Sequence, residues 1–242
     1  MVISQAHADE FDTDALRRAD AVAHADLSDR IATACRGSAN PAGLAWLAEA
    51  LQIDVLDRVV DLGGGLGGPA AWIARRYLCH VTTIDPAAGA CAGARRLFTL
   101  GVVQGDAAVL PFRPGSFDCA LMLGTLSVLE NPGVALGEAA RVARKLGILD
   151  YCSTEPVAVR SGGSVFRTEA ELVGMVSAQG WMVSQHCELT LPTPESWREV
   201  AAATDTSDAQ RVPSEREVIS AIGAQRIVPV VLVAGLASNP TP

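Results

Sequence analysis

Apolar residues are spaced along this chain in two alternating ways. Some stretches are short, continuous and β-branched, and others repeat every three or four residues. The clearest short run is 58–62, Arg-Val-Val-Asp-Leu, the pattern of a strand buried on both faces of a parallel sheet. Comparable runs at 80–84, 102–104, 117–123, 147–152, 181–190 and 226–234 predict six more strands. Helical spacing fills 69–78, 86–98 and 132–145 between them. Thr168 and Glu171 predict a capping box for a further helix ending at Gly180. Ahead of the first strand, a helical pattern over 13–35 breaks near His24–Asp26 and stops at Gly37. Asn40 then caps a helix that has Pro41 in its first turn and runs to Leu51.

Strands alternating with helices predict an α/β fold, doubly wound around a mostly parallel seven-stranded sheet with right-handed crossovers. The last two strands lack a full crossover helix between them, so the final strand is expected to run antiparallel, with Pro229 tolerable only near its start. The 191–225 stretch reads as an insertion. The chain is expected to be one domain: N-terminal helices over 1–55, a core over 56–153, and C-terminal strands with the insertion over 154–242.

Composition narrows the function. Of 242 residues, 49% are hydrophobic and 19% charged, enough for a large core, and the formal charge is −8. That balance, with a single lysine (Lys145) and no basic run, argues against nucleic acid as a partner. The first residues, MVISQAHADEFDTD, lack a basic-then-apolar secretory signature, and no apolar stretch approaches the ~20 residues that span a bilayer. The six cysteines include no C-x-x-C pair. A cytoplasmic protein that keeps off membranes and holds reduced thiols and no metal is expected.

The chemistry concentrates at 59–68, Val-Val-Asp-Leu-Gly-Gly-Gly-Leu-Gly-Gly, where a strand gives way to a helix. Glycines there permit a tight turn and close approach of a ligand, and the helix start offers unpaired N–H groups. Gly63, Gly65 and Gly68 also satisfy the dinucleotide pattern G-x-G-x-x-G, so the turn alone is ambiguous. Asp61 shifts the balance: a pyrophosphate is repelled by a carboxylate there, whereas the cationic amino acid end of S-adenosyl-L-methionine is attracted. Asp85, ending the second strand before Pro86, can accept both hydroxyls of a ribose; as an N-cap it would serve the next helix as well.

A third block completes the pattern. Gly105-Asp106-Ala107 is followed by Leu110-Pro111-Phe112 and then Ser116-Phe117-Asp118. With these blocks in order, the chain resembles the class I methyltransferases, in particular the small-molecule branch of ubiquinone, tocopherol and sterol enzymes. The resemblance runs over 58–145 and more loosely to 234. It implies a Rossmann-like methyltransferase fold with an N-terminal helical lid, and S-adenosyl-L-methionine as cofactor. It further implies that Asp61, Gly63, Gly64, Gly65 and Gly67 hold the methionine moiety, and that Asp85 and Pro86 lie at the ribose. Asp106 and Ala107 then take the adenine, and Leu123 and Gly124 line the cofactor's amino acid end. Two positions depart from the family: Val128 stands where a His is frequent, and 141–147 replaces the usual proline-glycine-glycine ending.

Catalytic candidates are weak. His24, Glu130 and Tyr151 are the titratable groups expected near the acceptor, with Ser127, Cys152 and Glu155 nearby and Trp197 in the insertion. A small-molecule methyl acceptor is the expected partner, and a homodimer is compatible with the sequence. Two rivals stand beside this reading. An NAD-dependent dehydrogenase explains the glycine turn and Asp85 but not Asp61 or the 106–118 block. A methyltransferase-fold protein that binds the cofactor without transferring its methyl group, such as a pericyclase or pseudoenzyme, fits the absence of an obvious base.

Overall fold

The computed structural model describes residues 5–35, 38–161, 163–189 and 220–236. Seven strands form one sheet in the order β3-β2-β1-β4-β5-β9-β8. The strands are β1 Arg58–Leu62, β2 His80–Asp85, β3 Gly101–Gln104, β4 Phe117–Leu123, β5 Ala143–Ser153, β8 Trp181–Glu188 and β9 Ile227–Leu236. Strands β1 to β5 pair in parallel, while β9 lies antiparallel between β5 and β8. The antiparallel last strand matches the expectation from its missing crossover. Pro229, which has no N–H, lies opposite Tyr151 near the start of β9.

Helices α3 Pro41–Leu51 and α4 Gly68–Tyr77 cover one face, packing Leu44, Leu47 and Ile73 on Val59, Val81, Leu121 and Leu149. Helices α6 Pro132–Val142 and α7 Glu169–Ala178 cover the other, with Leu136, Leu172 and Val176 on Val60, Met122 and Ile148. Alternate residues of β1 therefore serve opposite cores, as the two-residue strand period requires. The buried Trp181 anchors the second core and donates its indole N–H to Leu136 O at 3.1 Å.

Helices α1 Gln5–Val22 and α2 Leu27–Ala34 lie outside these layers. Ala15, Ala19 and Val22 pack on α5 Ala88–Leu97, and the end of α2 sits on the start of α4. Helix α1 begins well before the expected residue 13. Its first turns carry no apolar periodicity to announce them.

Other boundaries differ for visible reasons. Helix α5 starts at Ala88 and not at Pro86, because Asp85 Oδ1 accepts from the Ala87 N–H at 2.9 Å and holds that dipeptide in a turn. Asp85 is thus no N-cap. The Gly89 N–H is capped instead by the Asp12 carboxylate of α1. Helix α6 stops at Val142 and passes directly into β5, four residues ahead of the expected strand start at 147. Pairing of Ala143 with Phe117 and the bond of Lys145 Nζ to Leu51 O, at 2.6 Å, draw that segment into the sheet. The expected loop around Gly163 is a hairpin, β6 Val159–Ser161 with β7 Ser164–Phe166. Most of the expected insertion, with Trp197, lies outside the described residues, as does Gly37.

Among the described residues no helix is long and apolar enough to cross a membrane. The Asn40 cap is buried and accepts from the Gly43 N–H at 2.9 Å. Asn40→Ala is expected to lower stability by about 1 kcal/mol in urea denaturation. An unchanged midpoint would show that the cap contributes nothing.

Candidate functional site

The carboxyl ends of β1, β2 and β4 converge on the glycine turn. Asp61 sits on the same strand face as Val59, opposite Thr83 of β2 and Leu121 of β4 in register. Its carboxylate is fully buried, and neither oxygen has a hydrogen-bond partner; the neighbouring Thr83 Oγ1 is equally unpartnered. Two polar side chains are thus left without partners side by side under the turn. Burial, reinforced by the charge of Asp85, pushes the Asp61 carboxyl up to about 7.

The turn itself has room for backbone only. Gly63, Gly65 and Gly67 adopt φ of +75°, +54° and +77°, the left-handed region that side chains disfavour. At Gly64 the constraint is space: a Cβ would fall 1.9 Å from Thr83 Oγ1 and 2.6 Å from Asp61 Oδ2. Such crowding places the peptide groups of the turn directly above the unpartnered carboxylate.

Asp85 ties β2 to the same turn, its Oδ2 accepting from the Gly65 N–H at 2.9 Å. With Oδ1 on Ala87, both oxygens hold backbone amides while each keeps a free lone pair. Burial raises this carboxyl to about 6 against the lowering by the two amides, and the charge of Asp12 adds to the rise. Pro86, beside it, is exposed. One strand further out, Asp106 accepts from the Ala108 N–H at 2.8 Å, and Ala107 is buried.

On the other flank, Leu123 ends β4 and Gly124 turns with φ +73°, its N–H bonded to Leu149 O at 2.7 Å. Thr125, which sequence reasoning missed, donates Oγ1–H to Leu62 O at 2.8 Å and packs where a Cβ of Gly63 would lie. The end of α2 also reaches the turn. A Cβ at Gly68 would meet Ala34 C at 2.5 Å and Cys35 N at 2.6 Å, so α2 ends in backbone contact with α4. Burial, and after it the charge of Asp61, lifts the Cys35 thiol to about 12.

All of the expected cofactor residues thus lie along one edge, but the catalytic candidates do not converge there. His24 is exposed in the turn between α1 and α2, and Glu130 is exposed ahead of α6. Tyr151 is buried edge-on to Phe166 at 6.1 Å, and burial together with Asp150 pushes its phenol to about 12. A phenol so placed keeps its proton at neutral pH and is no base. Asp150, Arg167 and Asp12 were not foreseen. A carboxylate inside the apolar run Ile148-Leu149-Asp150-Tyr151 was the available signal for the first. Nothing in the sequence marked the other two. Among the described residues no group of three His, Cys, Asp or Glu is placed to hold a metal ion.

The sheet order is that of the Rossmann-like methyltransferase fold. Residues 60–149 match the family described as methyltransferase domain. A fatty-acid O-methyltransferase of Mycolicibacterium smegmatis is 34% identical over 112 residues, 44% of this chain and 41% of that protein. The chain thus matches less than half the length of that curated relative. Among solved structures, the [4+2]-cyclase SpnF superposes with a TM-score of 0.67 at 21% identity, covering 81% of each chain. Geranyl diphosphate C-methyltransferase of Streptomyces coelicolor A3(2) gives 0.64 at 15% identity, over 81% of this chain and 79% of that one. These two likenesses establish the fold, and neither they nor the family match single out a ubiquinone-, tocopherol- or sterol-like branch.

The state of Asp61 has a measurable consequence. Its folded pKa of about 7 lies above the unfolded value of about 4, so the native state holds this proton more tightly. The resulting stability is complete below pH ~4 and is lost as pH rises through ~7. Asp61→Asn removes the charge at constant shape and should raise the thermal midpoint of the ligand-free protein at pH 8, by the equivalent of about 1–3 kcal/mol. It should also flatten the pH dependence below neutrality. A lower midpoint at pH 8 would mean that Asp61 has a stabilising partner.

Proposed function

We propose that this chain is an S-adenosyl-L-methionine-dependent methyltransferase acting on a small-molecule acceptor. The observation that carries the reading is the buried, unpartnered Asp61 carboxylate beneath a turn that admits only backbone. A buried carboxylate with no donor is costly unless a cation completes it. The α-ammonium of the cofactor's methionine is such a cation, and a dinucleotide brings only a pyrophosphate to the same place. The matched methyltransferase domain and the 34% identical relative support the assignment.

In this reading Asp61 and Thr83, with Gly63, Gly64, Gly65 and Gly67, hold the amino acid end, flanked by Leu123 and Gly124. Asp85 accepts from the ribose hydroxyls through its free lone pairs, next to Pro86. Asp106 and the Ala107 N–H take the adenine edge. Helices α1 and α2 serve as the lid, as their contacts with Gly68 and Gly89 support. When bound, the cofactor supplies an activated methyl group on sulfur. The chain's own part is to hold the acceptor in line with it and to exclude water.

Among the described residues none of the expected bases stands at this edge, and the acceptor chemistry follows from that. A positioned base is required only where the acceptor's proton has a high pKa. Tyr151 keeps its own proton, and His24 and Glu130 are exposed and apart. A carboxylate acceptor is already ionised at neutral pH and needs no base. The relative's substrate makes a fatty acid the first acceptor to assay.

Calorimetry with S-adenosylhomocysteine is expected to show binding, and NAD and NADP none. Because the ammonium needs ionised Asp61, affinity should fall about tenfold per pH unit below ~7. Asp85→Ala should weaken binding by about 1–3 kcal/mol. Binding of NAD in place of the homocysteine compound, or a pH-independent affinity between 5.5 and 8, would overturn the assignment. Turnover should persist in EDTA, and its loss with recovery on adding a divalent ion would call for a metal.

A further inference from the structure

The segment after β4, Gly124 to Leu129, is held from two directions by groups outside the cofactor residues. Asp150, buried in β5 with 3% of its surface exposed, accepts from the Ser127 N–H at 3.1 Å through Oδ2. Through Oδ1 it accepts from the Tyr151 N–H at 2.8 Å. From the opposite side Arg167, just beyond the β6–β7 hairpin, donates from Nη1 to Leu126 O at 3.2 Å and to Val165 O at 3.3 Å. Val165 of β7 then donates its N–H to Ser127 O at 2.7 Å, extending the hairpin onto the segment. Ser153 N to Arg167 O, at 2.8 Å, returns the chain to β5. The single peptide group that joins 126 and 127 is therefore gripped at its N–H by Asp150 and at its C=O by Arg167. Both line the same small internal space with Tyr151, Leu172 and Met175.

We propose that Asp150 is a positioning residue for methyl transfer, acting with Arg167 to lock the segment after β4 and the β6–β7 hairpin into one acceptor-side wall. The proposal rests on the methyltransferase reading above. In open α/β sheets ligands lie beyond the carboxyl ends of the strands, and this segment is the continuation of β4 at that edge. The cofactor side has its own tether, the Thr125 hydroxyl on Leu62 O, one residue before the grip begins. The two halves of the site are thus fixed by different bonds. Loosening the grip displaces the acceptor while leaving the glycine turn, Asp61 and Asp85 in place. The two side chains act on one another through the peptide group they share, since each fixes the end of it that the other does not hold.

The test uses Asp150→Ala, Asp150→Asn, Arg167→Met and the Asp150→Ala/Arg167→Met double variant of the full chain. Dodecanoate is the acceptor probe. Asp150→Ala and Arg167→Met should each retain S-adenosylhomocysteine affinity within about threefold. Their kcat for dodecanoate should fall by about tenfold or more, with amide exchange accelerated both in 125–129 and in the hairpin. Asp150→Asn keeps one acceptor oxygen and should restore part of the loss. The double variant should exchange little faster than either single one, the non-additivity expected of groups that act as a unit. Loss of cofactor affinity in parallel with kcat, or acceleration in the segment with the hairpin unchanged, would overturn the proposal. If Asp150→Ala does not fold, Arg167→Met, whose side chain is only half-buried, decides by the same readouts. Wild-type protein that binds the homocysteine compound but leaves dodecanoate untouched would refute the fatty-acid acceptor alone. The exchange pattern and its non-additivity would then still decide the role of Asp150.

Discussion

At the end of β1 the chain turns through a space that leaves no room for a side chain at Gly64, directly above a buried carboxylate with no partner. Everything around that point is arranged to tolerate the crowding and the charge. Thr83 stands beside Asp61 in register, Thr125 fills the gap against Gly63, and Asp85 pins the Gly65 amide from the next strand. Ala34 and Cys35 close the far side against Gly68. A ligand-free protein accepts this cost only in part, by letting Asp61 keep its proton up to about pH 7. The strain is local and electrostatic.

The same edge explains the division of labour across the sheet. Strands β1 to β3 bring carboxylates to it on the α4 face, while β4 and β5 bring a segment gripped by Asp150 and Arg167. Between them Thr125 and Gly124 are bonded to Leu62 and Leu149. Helices α1 and α2 reach the β1–β3 side through Asp12 on Gly89 and the end of α2 on Gly68. The β6–β7 hairpin reaches the segment after β4 through Val165.

The strand and helix order and the antiparallel final strand were legible in the sequence because each depends on local pattern. Parallel strands must be apolar on both faces, the turn after β1 takes glycine where φ is positive, and Thr168 with Glu171 caps the helix that begins at Glu169. The placing of Asp61, Asp85 and Asp106 at strand ends comes from the same runs. Other features depended on contacts between residues far apart in the chain. Asp12 capping Gly89, Arg167 on Leu126 and Lys145 on Leu51 join positions whose separation carries no local signal. The early start of β5 results from such bonds, since a peptide group takes whichever partner the folded chain brings to it. Most decisively, composition marked Asp61 only as acidic. That it is buried without a partner, and that Tyr151 is sealed against Phe166 with its proton retained, were settled by tertiary packing, because desolvation is a property of surroundings and not of a residue.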